Sequence, residues 1–147
     1  MLRMLAAIAL AVHLTSAALL YADDPPKGDK DLDGTWEQTA VVHEGEDQPA
    51  AGGDKLVVTI MGDSITFTVG KDVETGKLKI DAGKKPKVAD LVPGDGPQKG
   101  ITIPGVYEIK GDELRVCSSD PGKDRPTELS SKKSSGWTLT TLKRVKK

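Results

Sequence analysis

Asp29, Asp31 and Asp33 alternate through "DKDLDG" and are followed by Gly34, which is how a calcium-binding loop opens. Such a loop places oxygen ligands at positions 1, 3 and 5 and a sharp turn at Gly in position 6, then closes with a bidentate Glu at position 12 between two helices. Position 12 here is Ala40; a Pro-Pro segment precedes the loop and "TAVV" follows it. Neither the closing ligand nor the helices are provided for. A charged leader meeting a turn accounts for the same carboxylates, so no metal site is expected.

The other chemical-looking groups fail on their partners. "GDSI", 62–65, imitates the nucleophile block of a serine hydrolase, but Ser64 needs a histidine to take its proton and none occurs after it. His13 lies in the N-terminal apolar segment, which leaves His43 as the other imidazole and Cys117 as the one thiol. A zinc site takes three or four ligands, which this pair does not supply. His43 reads as a solvated loop residue. Cys117, in an alternating run, reads as a small half-buried hydrophobe. As the odd cysteine of an exported chain it leaves intermolecular pairing open. Arg125, in "GKDRPTE", is placed either to meet a carboxylate or phosphate at a rim or to pair locally with Asp124 or Glu128. No catalytic residue and no cofactor are expected, and the chain does not read as an enzyme.

The elements that must position these residues begin with a segment that is not part of the folded domain. Residues 1–22 carry Arg3, then an uncharged apolar run, then small residues at Ala17, Ala18 and Ala22. That order is the signature of a secretory signal peptide, cut after Ala22 or after Ala18. The run falls short of the ~20 residues that span a bilayer, so no membrane insertion is expected once it is removed. Loss of Arg3 leaves 20 basic against 22 acidic residues, interspersed, a net charge of −2. No nucleic-acid surface is implied by that balance. The expected location is secreted or periplasmic, and the expected state is a monomer.

Residues 23–31, "DDPPKGDKD", are charged and broken by Pro and Gly, and a disordered leader is expected there. From Leu32 to Lys147 a single domain is expected. Its apolar residues recur with period two, in short runs at 35–42, 55–61, 64–69, 77–81, 87–92, 101–109, 113–118, 127–130 and 137–145. Gly-Asp at 62–63 and 111–112 predicts two-residue hairpin turns, hence antiparallel neighbours and a meander. Segments 43–54, 81–86, 93–100 and 118–126 read as loops. Pro104–Gly105 marks a bend within its run. The fold class is all-β. Closure into an antiparallel up-and-down barrel of about eight strands, or folding into a β-sandwich, would hide the sheet's edges and its apolar face.

In a closed meander the first and last strands become neighbours. Trp36, two positions after Gly34, would then close one end of the barrel with Arg144 over its indole face. "LDGTWE" at 32–37 resembles the Gly-x-Trp signature of lipocalins. With "KKPKVADLVPGDGPQKG" (84–100), "GVYEIKGDELRVC" (105–117), "GKDRPTE" (122–128) and "LTTLKR" (139–144), the chain is similar to a planctomycete lipocalin-like domain family of unknown function. The resemblance implies a small exported β-barrel and carries over no catalytic residue and no ligand. Leu129 departs from the pattern, which would place Phe there.

Two roles fit such a barrel. One is binding of a small apolar or amphipathic molecule, with Leu56, Val58, Phe67, Ile80, Tyr107 and Leu114 as the candidate interior lining. The other is a structural or protein-interaction module of the cell envelope with a packed, ligand-free core. The interior discriminates between them: a cavity of about 300 Å³ or more, opening at the loops opposite Trp36, favours binding, and a filled core favours the interaction module.

Overall fold

The computed structural model describes residues 27–48 and 55–146. The expected signal segment 1–22 and leader residues 23–26 lie outside the described residues. Among the described residues there are nine strands: β1 Gly34–His43, β2 Glu46–Gln48, β3 Leu56–Met61, β4 Ser64–Val69, β5 Asp72–Asp81, β6 Lys87–Pro93, β7 Gly105–Lys110, β8 Glu113–Ser119 and β9 Trp137–Arg144. From β3 onward each pairs antiparallel with the next, and β1 pairs with β3 on one side and β9 on the other. The result is a closed eight-stranded antiparallel barrel with β2 folded back along the end of β1. The β1–β9 pairing runs from Trp36 opposite Arg144 to His43 opposite Thr138, so the sandwich alternative is not the fold formed.

Period two dictates which side chains meet inside. Val58 and Ile60 of β3, Ile65 of β4, Leu78 of β5, Tyr107 of β7 and Leu114 of β8 form one buried cluster with Trp36 and Leu142. The turns follow from glycine. Met61 opposite Ser64 and Lys110 opposite Glu113 leave two-residue loops that begin at Gly62 and Gly111, both at positive φ (62° and 57°). This is the geometry that matches the twist of the flanking strands. Gly70, between Val69 and Asp72, makes a third turn of the same kind.

Several expectations are corrected. Residues 43–54 were expected as a loop, but Glu44–Gly45 make a hairpin turn into β2. All three residues of β2 are exposed, so no apolar alternation marks the strand. Residues 127–130, expected as a strand, lie in an irregular segment, 120–136. The run 101–109 breaks at Pro104: Ile103 makes an isolated bridge to Leu91, and β7 starts at Gly105. The end of the expected disordered leader is ordered on the barrel. Lys30–Leu32 is a 3-10 turn capped by the Asp29 carboxylate, and Ala82 donates its backbone N–H to the carbonyl of Lys27 at 2.9 Å.

Candidate functional site

The lower end of the barrel is closed by the segment 27–33. Trp36 is fully buried and donates its Nε1–H to the carbonyl of Leu32 at 2.9 Å. Arg144 lies over the indole, its Cζ 4.1 Å from the ring centroid, and donates to the carbonyls of Asp33 (2.8 Å) and Asp31 (2.7 Å). Gly34 stands at φ +132°, and a Cβ there would sit 2.7 Å from Arg144 Nη1. The structure thus brings Gly34, Trp36 and Arg144 together at this end of the barrel. It also recruits backbone carbonyls that no side-chain pattern announces.

Two of the three carboxylates of the calcium-like stretch, those of Asp33 and Asp29, go to separate partners, while Asp31 contributes its backbone N–H and carbonyl. Asp33 accepts the backbone N–H of Gly62 at 2.9 Å. Asp29 accepts Tyr107 OH at 2.7 Å and Lys87 Nζ at 3.1 Å. Burial works against ionisation of Asp29, but the hydrogen bonds from Tyr107, Lys87 and the Asp31 amide outweigh it and hold its carboxyl below the usual range. Burial, and then the hydrogen bond to Asp29, push the Tyr107 phenol up. Among the described residues no group of three or more His, Cys, Asp or Glu is arranged to hold a metal ion.

Above this floor is a cavity of about 250 Å³. Of the expected lining, Leu56, Val58, Phe67, Tyr107 and Leu114 face it. Ile80 does not. It lies one inward position nearer the closed end than Leu78 and lines a separate hollow beside Gly28, Asp29 and Lys30. At the open end Phe67, Leu91 and Ile103 stand between the cavity and a wider hollow of about 490 Å³ under residues 93–98. No charged side chain lines the inner cavity among the described residues. Its polar side chains, besides the Tyr107 phenol already bonded to Asp29, are Gln38, Ser118 and Thr140.

Those three carry no apolar signal, so hydrophobic periodicity does not mark them as inward. Alternation alone would have found them: Gln38 is two positions from Trp36, Thr140 two from Leu142, and Ser118 two from Val116. The β1 register shifts between Gln38 and Ala40, a bulge that follows Gln38 and leaves the alternation from Trp36 to Gln38 unbroken.

The remaining candidates are placed as follows. Ser64 is exposed at the start of β4, with Lys77 Nζ at 3.4 Å from its hydroxyl. His43, expected as a solvated loop residue, ends β1 and bonds Thr138 Oγ1 through Nδ1 at 2.8 Å. Cys117, expected half-buried, is fully buried on the outer wall of β8, its Sγ 3.2 Å from the carbonyl of Ser130 in the 120–136 segment. Burial raises its thiol pKa. Arg125 pairs with neither Asp124 nor Glu128. Its guanidinium forks onto both oxygens of Asp90 on β6 and donates to the carbonyl of Gly105 at 3.1 Å. Glu128 instead meets Lys132 at 2.7 Å. No helix among the described residues is long and apolar enough to cross a membrane.

Compared with family models, curated proteins and solved structures, the chain has no match.

Proposed function

We propose that this protein is an exported binding module that holds a small apolar or amphipathic molecule inside its barrel. The observation that carries the reading is the partly open cavity of about 250 Å³, just under the ~300 Å³ at which ligand pockets begin, apolar on most of its wall and lined by no charged side chain among the described residues. Ligand pockets are typically concave and apolar with a few placed polar groups, and each methylene moved into such a space gains ~0.8 kcal/mol. By the measure that about 150 Å³ holds benzene, this cavity holds about ten heavy atoms. Export is supported by the pattern of residues 1–22, and membership of the planctomycete lipocalin-like family by the segments quoted above. The reading is of a carrier: Gln38, Thr140 and Ser118 offer an amide and two hydroxyls, and the cavity-lining Tyr107 hydroxyl is already committed to the Asp29 carboxylate at 2.7 Å.

Native mass spectrometry of the protein purified from its own host tests this. Wild type is expected to retain a small molecule that Val116→Phe, which fills the cavity, does not. A wild type that carries nothing, and whose melting temperature no apolar compound of this size raises, overturns the reading.

A further inference from the structure

Gln38, Thr140 and Ser118 stand on three adjacent strands, β1, β9 and β8. Thr140 is opposite Val116, one inward step below Ser118 and one above Leu142, the partner of Gln38. The three are thus diagonal neighbours, about 7–8 Å apart on such a sheet, in a row up one wall. Each is half-buried, and among the described residues none of the three side chains has a hydrogen-bond partner. The facing wall, from β3 to β6, presents Leu56, Val58, Phe67, Leu78 and Leu91.

The geometry points to a neutral, oxygen-bearing ligand of about ten heavy atoms, an alcohol or ketone of mainly hydrocarbon character, whose oxygen is bound by the Gln38–Thr140–Ser118 row. This rests on the proposed binding function and names the class of ligand. A carboxamide and two hydroxyls both donate and accept, so they satisfy a hydroxyl or a carbonyl equally. Among the described residues no cation lines the cavity to pair a carboxylate and no anion lines it to pair an ammonium, so a charged head drawn inside would be desolvated without compensation. A pure hydrocarbon would fill the space but leave the three polar groups unpaired.

Four probes of matched size separate the cases: nonane, octanol, octanoate and octylamine, titrated into the full chain near neutral pH and followed by calorimetry and by shifts in amide NMR spectra. Octanol is expected to bind about tenfold tighter than either charged probe and tighter than nonane. Thr140→Val combined with Ser118→Ala is expected to weaken octanol about tenfold and leave nonane unchanged or tighter. Thr140→Ser, which keeps the hydroxyl, is expected to retain octanol binding and serves as the folding control. Octanoate binding as tightly as octanol, or equal loss of octanol and nonane in the double variant, overturns the assignment. If nonane binds and octanol binds no better, the assignment falls while the binding function stands. If no probe binds, both fall.

Discussion

Arg144 and Trp36 are cross-strand partners in the pairing that closes the barrel, and the guanidinium lies 4.1 Å above the indole centroid while donating to two carbonyls of the preceding turn. One side chain thus joins the last strand, the first strand and the segment leading into it. The planar fork is what allows this, and an ammonium has no equivalent geometry. Arg144→Met is expected to cost about 1–3 kcal/mol in urea denaturation, with Arg144→Lys recovering only a minor part. Gly34→Ala is expected to cost a similar ~1–3 kcal/mol, through its positive φ and the clash with Nη1. Because one term is shared, Gly34→Ala should cost measurably less in an Arg144→Ala background. Strict additivity of the two changes would show that they do not meet.

The bond from Tyr107 to Asp29 makes stability depend on pH at both extremes. Asp29 has a folded pKa below its usual value, so its contribution is complete above about pH 4 and is lost as pH falls through the lowered value. Tyr107 has a raised folded pKa, so its contribution is complete below about pH 10 and is lost as pH climbs toward the raised value. Tyr107→Phe is expected to cost ~1.5–3 kcal/mol near neutrality, the range for a hydrogen bond to a charged group, and to flatten the alkaline limb. Asp29→Asn is expected to flatten the acid limb instead. Urea unfolding across pH checks both; a wild-type advantage over Tyr107→Phe that persists unchanged well above about pH 10 would disprove the coupling.

The barrel was legible wherever one face of a strand is apolar and the other polar, as in "SITFTV", where Ile65 is buried and Ser64 exposed. It was legible at Trp36 and Arg144 because closure of a meander leaves the two terminal strands only each other to pair with. Legibility fails where backbone groups supply the partner. Nothing in "DKDLDG" shows that Asp31 and Asp33 contribute carbonyls to Arg144, or that Asp29 reaches Tyr107 across 78 positions of chain. It fails also for the cavity's polar row, since an inward Gln or Thr looks like an outward one until register is known. Ile80 shows the converse: its period is right, yet it lines a separate hollow while its cross-strand partner Ala89 lines the cavity, a difference that alternation does not carry.

Arg125 holds the 120–136 segment over Cys117. Its fork on Asp90 and its bond to Gly105 connect that segment to β6 and β7, and Pro126 beside it is fully buried. The thiol is therefore reachable only when the segment lifts. Arg125→Ala removes a charge-assisted pair and leaves Asp90 half-satisfied, with only the Gly105 N–H at 3.3 Å. Cys117 is expected to resist thiol reagents in the native wild type and to label about tenfold faster or more in Arg125→Ala, as the opening free energy falls by ~1.5–3 kcal/mol. Equal labelling rates would show that another contact holds the cover.

Gly105 is a position, like Gly76 on β5, where backbone of a neighbouring strand leaves the barrel wall no room for a side chain. An added Cβ would lie 2.7 Å from the carbonyl oxygen of Ala89 on β6 and 3.3 Å from that of Cys117 on β8, so backbone crowds it from both neighbouring strands. Neither strand can yield, because β8 pairs with β9 along its full length and Asp90, next to Ala89, is held by Arg125. The strain has no flexible side chain to absorb it, unlike that at Gly34, where the obstructing atom ends a long one. Gly105→Ala is expected to cost about 3 kcal/mol in equilibrium unfolding, at the upper end for overpacking. Gly28→Ala is the control, since nothing lies within 4 Å of its would-be Cβ, and is expected to stay within about 0.5 kcal/mol of wild type. A Gly105→Ala protein as stable as Gly28→Ala would mean that β6 and β8 move apart freely, which a closed barrel does not permit.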